Sequence, residues 1–186
     1  NVRDKLFMID CGEGAQLQFR KSHLKFSRLN HIFISHLHGD HCFGLLGLIS
    51  TLNLLGRTAE LHIHSPKGLE TLLTPMLDFF NRQMTYKVLF HEFDTKEPML
   101  IYEDRSLTVT TIPLRHRMPC CGFLFAEKRC PNHIIREMVD FYQVPVYELN
   151  RIKNGADYVT SEGKTVSNNL LTRPSAPSRS YAYCSD

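Results

Sequence analysis

A histidine-rich motif is the feature that most constrains how this chain folds; it reads Ser-His-Leu-His-Gly-Asp-His over residues 35–41. It follows residues 31–35, whose apolar pattern predicts a strand. It precedes residues 43–55, an apolar run that is too long for a strand and predicts a buried helix. The motif therefore lies in the connection of a strand-loop-helix unit, where a rigid scaffold holds the side chains.

The motif also has the composition of a metal site. In extended backbone His36 and His38 point to the same side, and Gly39 lets the chain turn. Asp40 and His41 can then face a neighbouring point. Imidazole with carboxylate suits zinc best, and iron or manganese less well. In a chain of 186 residues with 10 histidines, such a pattern arises by chance on the order of once in a thousand chains, so an accidental polar loop is the weaker interpretation.

Four ligands on one loop cannot complete two metal spheres, so further ligands must come from distant strand ends. His116 and Asp186 are the best candidates, because each follows a predicted strand, at residues 108–114 and 181–184 respectively. Both assignments rest on position, since isolated histidines and aspartates in loops are also commonly solvated or capping groups.

The other histidines favour packing or surface roles. His62 and His64 share one face of a predicted strand at residues 60–64, so their spacing imitates a ligand pair. They lie within the strand rather than in the loop beyond it, which argues against ligation. The remaining histidines are expected at the surface or partly buried, namely His23, His31, His91 and His133.

Alternation of strand and helix patterns predicts an α/β fold. Helices are expected at residues 67–80 and 134–142, and further strands at residues 5–10, 86–93, 100–102, 106–114, 122–126 and 180–184. Residues 151–179 contain turn signals and few apolar side chains, which predicts a protruding hairpin or arm.

Composition adds limits rather than a function. With 42% hydrophobic and 22% charged residues, the chain can form one domain or part of a larger one. A net charge of +3 permits a nucleic-acid partner without implying one. Six cysteines without framework spacing favour reduced thiols in a cytosol-like compartment. We find no secretory signal and no apolar run of the length that spans a membrane.

Several segments together resemble the ribonuclease Z family of the metallo-β-lactamase superfamily. They are Ile9-Asp10-Cys11-Gly12-Glu13-Gly14-Ala15-Gln16, residues 35–44, Pro113-Leu114-Arg115-His116 with Gly122-Phe123 downstream, and Tyr183-Cys184-Ser185-Asp186. The Asp-Cys-Gly-Glu-Gly segment is the most discriminating of them. The resemblance implies a metallo-β-lactamase-type four-layer αββα sandwich, an α/β fold, and covers nearly the whole chain.

The resemblance also implies a function. Members are zinc-dependent endoribonucleases that remove the 3′ trailer from precursor tRNA, leaving a 3′-hydroxyl on the tRNA and a 5′-phosphate on the trailer. It implies two zinc ions in the full-length chain: His36, His38 and His116 would bind one, Asp40 and His41 the second, and Asp186 would bridge them. Asp40 would also be the catalytic proton acceptor. A homodimer in the cytoplasm, without membrane association, is expected.

The family uses an inserted arm to grip tRNA, and residues 127–179 lie where that arm is expected, within a domain covering residues 1–186. The insertion holds eight Lys or Arg against six acidic residues, so a solvated loop remains the alternative. The expected RNA contacts are Lys128, Arg129, Arg136, Arg151 and Lys153. Gln143-Val144-Pro145-Val146 stands where members often carry a Gly-Pro turn.

Other parts of the family pattern fall outside the sequence. The family's opening strand is expected before Asn1, and a further zinc-binding histidine and a second functional histidine are expected after Asp186. The sequence therefore predicts an incomplete domain, apparently truncated at both ends, whose second zinc site lacks a ligand. Two other functions stay open. One is a hydrolase of small phosphodiesters, thioesters or lactones, and the other is a fragment that binds metal or RNA without catalysis.

Overall fold

The structure is a computed structural model, and it describes residue 2 and residues 5–185. In chain order the strands are β1 (Leu6–Ile9), β2 (Leu29–Phe33), β3 (Leu61–Pro66), β4 (Val88–Phe93), β5 (Leu100–Glu103), β6 (Leu107–Leu114), β7 (Cys120–Glu127), β8 (His133–Ile134), β9 (Tyr158–Val159), β10 (Thr165–Val166), β11 (Thr172–Arg173) and β12 (Ser180–Tyr183). The α-helices are α1 (Ala15–Lys21), α2 (Gly39–Cys42), α3 (Gly44–Leu54), α4 (Leu69–Phe80), α5 (Arg136–Phe141), α6 (Leu149–Lys153) and α7 (Asn168–Leu171). Short 3-10 helices cover Phe26–Arg28 and Val146–Glu148.

The first sheet is parallel, with strand order β1-β2-β3-β4. One of its faces is covered by helices, because α3 buries Leu45, Leu48, Ile49 and Leu52, the spacing of one helical face. These side chains share a core with Ile32 of β2 and Ile63 of β3. Helix and sheet therefore form two packed layers.

The second sheet has strand order β12-β7-β6-β5 and contains the antiparallel pairs β5-β6 and β7-β12. Buried and half-buried positions alternate along β6, as expected for a strand with one face on a core. Phe33 from the first sheet and Phe123 from the second are fully buried in a common apolar cluster. The two sheets therefore pack face to face, with this cluster between them. Burial of each such side chain stabilises the fold by about 1.5–3 kcal/mol.

The chain divides into two compact units. The first contains Asn1–Ala126 with Ser180–Asp186, and the second is Glu127–Arg179, the range in which the sequence predicts the inserted arm. The second unit has its own small core, built from Val139, Val144, Ile152, Tyr158, Val166 and Leu171. It is therefore a folded insertion with short helices and strands rather than a plain hairpin.

Two predicted helices begin later than the sequence suggests. The helix predicted from residue 67 begins at Leu69, because Gly68 has a φ of 108°, which is outside the helical region. The helix predicted for residues 134–142 is shorter, since Ile134 pairs with Thr172 in the β8-β11 ribbon. The amide of Ile135 donates to the carbonyl oxygen of Leu171. Tertiary pairing thus overrides the helical pattern there, and that prediction is wrong for its first residues.

Among the described residues, no helix combines the length and the apolar character that crossing a lipid bilayer requires.

Two glycines of α3 provide a matched test of how closely this helix approaches the turn after β1. A Cβ at Gly44 would lie 2.1 Å from the carbonyl oxygen of Gly12, whereas one at Gly47 would meet only the Gln16 side chain at 3.4 Å. We expect Gly44→Ala to lower the free energy of unfolding by about 1–3 kcal/mol through overpacking. Gly47→Ala should be neutral or stabilising by up to about 1 kcal/mol through helix propensity. Urea denaturation measures both, and equal effects would contradict the close approach.

Candidate metal centre

The loops that follow β1 and β2 are joined by backbone hydrogen bonds. The amide of Asp10 donates to the carbonyl oxygen of Phe33 (2.8 Å), and the amide of Cys11 donates to that of His41 (2.7 Å). The amide of Gly44 donates to the carbonyl oxygen of Cys11 (2.8 Å). The turn after β1 therefore holds the histidine motif in place before it enters α3.

Three imidazoles converge at this end of the sheets. Nε2 of His36 lies 3.0 Å from Nδ1 of His38, and Nε2 of His116 lies 3.3 Å from the same atom. One ligand atom from each ring lies within 4.8 Å of the other two. His116 arrives from the connection between β6 and β7, so residues far apart in sequence supply one site, which we call the histidine triad.

The triad fits a metal ion by its donor set and its ring geometry. Ligands on one zinc-sized ion at 2.0–2.1 Å have nitrogens about 3.3 Å apart, close to the separations between these rings. The ring planes meet at 68–83°, so the rings radiate around a point instead of stacking. Nδ1 of His38 faces two ring nitrogens at once. This convergence is the arrangement that binding of one shared cation requires.

Burial favours the ligating form of His36. This residue is fully buried, and burial, followed by the neighbouring His41 and His38, lowers its pKa. Its Nδ1 lies 3.0 Å from the hydroxyl of Ser35, which orients the ring so that Nε2 faces the triad. The imidazole is therefore neutral near pH 7, as metal binding requires.

Asp10 is the hydrogen-bonding centre behind the triad, and the sequence did not single it out as a site residue. The carboxylate accepts hydrogen bonds from the Ser35 amide (2.8 Å), the Ser35 hydroxyl (3.0 Å), Nδ1 of His41 (2.8 Å) and the Tyr183 hydroxyl (2.9 Å). Asp10 has a φ of 55°, a left-handed conformation that costs free energy and needs compensating contacts. Its position directly after β1, beside the motif that follows β2, was the available signal.

Asp40 is the solvent-exposed member of the site, whereas its neighbour His41 is buried. The bond from Nδ1 of His41 to Asp10 leaves Nε2 directed away from it, and Nε2 lies 3.5 Å from Oδ2 of Asp40. The Asp40 side chain is 75% exposed. Among the described residues, the triad is the group of three convergent ligands, and Asp40 and His41 lie outside it. Asp186, the predicted bridging ligand, lies outside the described residues.

The neighbouring cysteines are not metal ligands in this arrangement. The thiol of Cys42 donates to the carbonyl oxygen of His38 at 3.3 Å, so it faces backbone. Burial, followed by the charge of Asp10, raises the pKa of both the Cys42 and the Cys11 thiols, the latter to about 12. Both are therefore buried neutral thiols that pack the loop.

A basic cleft of about 670 Å³ opens beside His116. Its lining includes four cationic side chains, Lys67, Lys96, Arg115 and Arg117. Asp94 contributes a carboxylate, which leaves a local excess of three positive charges. Such a surface attracts phosphate groups.

The basic residues predicted in the arm lie within the second unit. Two form local ion pairs, Arg136 with Asp140 (3.2 Å) and Arg151 with Glu148 (3.4 Å). Arg129 and Lys153 line a small cavity of about 150 Å³. Lys128 follows directly after β7. The structure therefore leaves Arg129 and Lys153 as the most clearly grouped cations of this set.

Comparisons with known proteins bear on this site. A family model described as "Anti-Pycsar protein Apyc1" matches residues 1–132. The chain is 79% identical over its 186 residues to a protein named Ribonuclease Z from Bacteroides fragilis, and 78% identical to one from Bacteroides thetaiotaomicron. It spans 61% and 59% of the lengths of these relatives.

A solved structure is also similar. The crystal structure of human tRNase Z, short form, has a TM-score of 0.62 and 31% sequence identity. The match covers 68% of this chain and 56% of that chain.

Single substitutions test the triad as a metal site. We expect His38→Ala to weaken metal binding by about 100-fold or more, because it removes the ring between the other two. Asp10→Asn should weaken it by about 10-fold to 100-fold, because Asp10 acts through Ser35 and His41. Competition with a chromophoric chelator measures both. His133→Ala, in the exposed β8, is the control and should leave metal affinity unchanged. If His38→Ala lowered metal affinity no more than His133→Ala does, the assignment of the triad would be contradicted.

Proposed function

Since the chain belongs to the ribonuclease Z family of the metallo-β-lactamase superfamily, we propose that the full-length protein is a zinc-dependent endoribonuclease that removes the 3′ trailer of precursor tRNA. Residues 1–132 also belong to the family whose model is described as Anti-Pycsar protein Apyc1. The observation that carries the proposal is the histidine triad, supported through Ser35 by Asp10, in a chain 79% identical to a Ribonuclease Z.

The proposed metal is zinc, because imidazole and carboxylate donors suit it. His36, His38 and His116 would hold one ion. Asp40 and His41 would contribute to a second, and Asp186 would bridge the two. The chemistry that bound zinc supplies is stabilisation of the negative charge that develops on a phosphodiester.

The protein's own residues supply the remaining steps. The exposed carboxylate of Asp40 is accessible to a substrate and is the proton acceptor for the attacking water. Asp10 keeps His41 in one orientation through Nδ1, which leaves Nε2 available beside Asp40. Water attacks the phosphorus, the bond from phosphorus to the 3′ oxygen of the tRNA breaks, and that oxygen takes up a proton from solvent. The tRNA then ends in a 3′-hydroxyl and the trailer begins with a 5′-phosphate.

Two basic surfaces support RNA as the substrate. The cleft beside His116 carries an excess of positive charge within the same unit as the triad, so a phosphodiester backbone is favoured near the scissile bond. The second unit would bind the tRNA body through Arg129 and Lys153, with Lys128, Arg136 and Arg151 as further contacts. Its compact core would keep these side chains in fixed relative positions.

Two other functions remain open as alternatives. One alternative is a hydrolase of small phosphodiesters, thioesters or lactones, since residues 1–132 also match a family model described as Anti-Pycsar protein Apyc1. Such an enzyme has no need of a folded RNA-binding insertion, so dependence on the second unit separates it from the leading proposal. A metal- or RNA-binding protein without catalysis would show no turnover on either kind of substrate.

We also propose a homodimer that works in the cytoplasm. The outer side of α4 exposes Leu72, Met76, Phe79 and Phe80, an apolar surface suited to a second copy of the chain. The mass of a single chain in light scattering of the full-length protein would contradict the dimer.

All six cysteines are free thiols, which agrees with a reducing compartment. Recovery of the protein outside the cytoplasmic fraction would contradict that location.

Asp40 gives the sharpest test of the reaction. In the full-length protein Asp40→Ala should lower the rate of precursor tRNA cleavage by about 100-fold or more, because general acid-base catalysis typically contributes that much. Its exposed position predicts little change in thermal stability. Asp78 is also exposed but lies on α4, and Asp78→Ala should leave the rate unchanged. Retention of full activity by Asp40→Ala would exclude the proposed role.

The second unit can be removed cleanly, because Ala126 of β7 and Ser180 of β12 are direct antiparallel partners. Replacing residues 127–179 with Asn-Gly creates a two-residue hairpin turn. We expect this variant to lose cleavage of precursor tRNA while keeping hydrolysis of a chromogenic phosphodiester. Full-length protein with Arg129→Ala and Lys153→Ala should show a smaller loss of the same kind, and Lys164→Ala none. Equal losses on both substrates would contradict RNA binding by this unit.

A further inference from the structure

Four histidines from three adjacent strands form one contiguous cluster, which we call the histidine quartet. They are His31 of β2, His62 and His64 of β3, and His91 of β4. In the parallel register His31 lies opposite His62, and His64 lies opposite His91. All four lie on the face of the first sheet that is turned toward the second, since His31 and His64 contact Tyr102 of β5. Strand pairing alone therefore brings these rings together.

The rings contact one another along the diagonals of the strand register. Nδ1 of His31 lies 3.3 Å from Nε2 of His64, and Nδ1 of His62 lies 2.9 Å from Nε2 of His91. Ring centroids of neighbouring members are 4.7–5.5 Å apart. His64 also stacks on Phe33, with centroids 4.5 Å apart. The quartet is thus a block of π-stacked rings at the β3-β4 edge.

Ring orientation separates this cluster from a metal site. The planes of the quartet meet at only 17–29°, whereas those of the triad meet at 68–83°. Nearly parallel rings cannot direct three nitrogens at one point. Consistently, the triad is the group of three convergent ligands found among the described residues.

Each diagonal contact requires one protonated and one unprotonated ring nitrogen, which neutral imidazoles provide. A second proton would place two N–H groups against each other. Among the described residues, the charged and titratable groups that face the quartet from other elements are Tyr102 of β5, Asp104 in the turn before β6, and Lys5 ahead of β1. Asp104 already accepts hydrogen bonds from Lys5 and Tyr102, so its carboxylate is engaged by groups outside the quartet.

His64 is the most confined member. It is 3% exposed, and its Nδ1 is buried without a hydrogen-bond partner in the described part of the chain. Burial, followed by His91 and His31, lowers its pKa to about 3. Burial, followed by the charges of His62 and His91, lowers the pKa of His31 to about 4. Burial also lowers the pKa of His91.

We propose that the quartet is an acid-sensitive latch on the β3-β4 edge: neutral stacked rings close it, and mildly acidic solution weakens it, because the opened rings bind protons that the closed rings exclude. The unfolded or opened chain binds protons on His31 and His64 below pH about 6.5, while in the closed form they do so only as the pH approaches about 4 and about 3 respectively. Stability is therefore complete above pH about 6.5 and falls as the pH drops toward the pKa values of the closed form. The opposite pH dependence would need raised pKa values.

Release of the latch has a structural consequence near the triad. β3 ends at Pro66 and β4 at Phe93, and both residues line the basic cleft beside His116. Opening of this edge would therefore disturb the cleft before the rest of the sheet. The inference concerns the fold alone, so it does not depend on the proposed RNA-cleaving activity.

The latch can be tested by urea denaturation of the full-length protein between pH 4.5 and 7. Removal of one histidine whose pKa is lowered should reduce the number of protons taken up on unfolding by about one. The unfolding equilibrium constant should then change by up to about tenfold less for each pH unit. His64→Phe preserves stacking on Phe33, and His31→Gln is the second variant. His133→Gln, in the exposed β8, should keep the wild-type slope. A wild-type slope in both test variants would overturn the proposal.

Two spectroscopic readouts on the wild-type protein stand even if a variant fails to fold. Nitrogen-15 spectra of the imidazoles should show His31 and His64 still neutral at pH 5, and titration of both with midpoints near 6.5 would overturn the latch. Hydrogen exchange, corrected for its intrinsic pH dependence, should show β4 amides losing more protection than β1 amides between pH 7 and pH 5. Equal losses in the two strands would also count against it.

Discussion

The hydrogen bonds accepted by the Asp10 carboxylate are the interactions on which the candidate metal centre depends. They join the end of β1 to Ser35 and His41 of the motif after β2, and to Tyr183 of the second sheet. Hydrogen bonds to an ionised acceptor are stronger than neutral ones, which offsets the cost of the left-handed backbone at Asp10. Both sheets thereby fix the orientation of rings that must converge within a few tenths of an ångström to hold an ion.

Ring orientation decides what a cluster of histidines can do in this protein. In the triad, rings from loops beyond strand ends meet at steep angles and converge on a point. In the quartet, rings from within neighbouring strands are held nearly parallel by the strand register and stack instead. The same side chain is therefore arranged to suit ligation at the strand ends and packing between the sheets.

The motif at residues 35–41, the strand before it and the helix after it were predictable, because their signals are local in sequence. His116 was predictable as a loop residue beyond a strand, although only the structure brings it within 3.3 Å of His38. The hydrogen-bond partners of Asp10 and the existence of the quartet were not predictable, because both depend on which strands are neighbours and in which register. The strand at Ile134 was missed for the same reason, since its partner Thr172 is distant in sequence.

We expect the triad, and not the quartet, to bind zinc in the full-length protein. The most direct measurement is anomalous X-ray scattering at the zinc edge from crystals of that protein. We expect an anomalous peak about 2.0–2.1 Å from a ring nitrogen of each of His36, His38 and His116. We expect no such peak among His31, His62, His64 and His91. A peak at the quartet, or none at the triad in zinc-loaded crystals, would contradict this assignment.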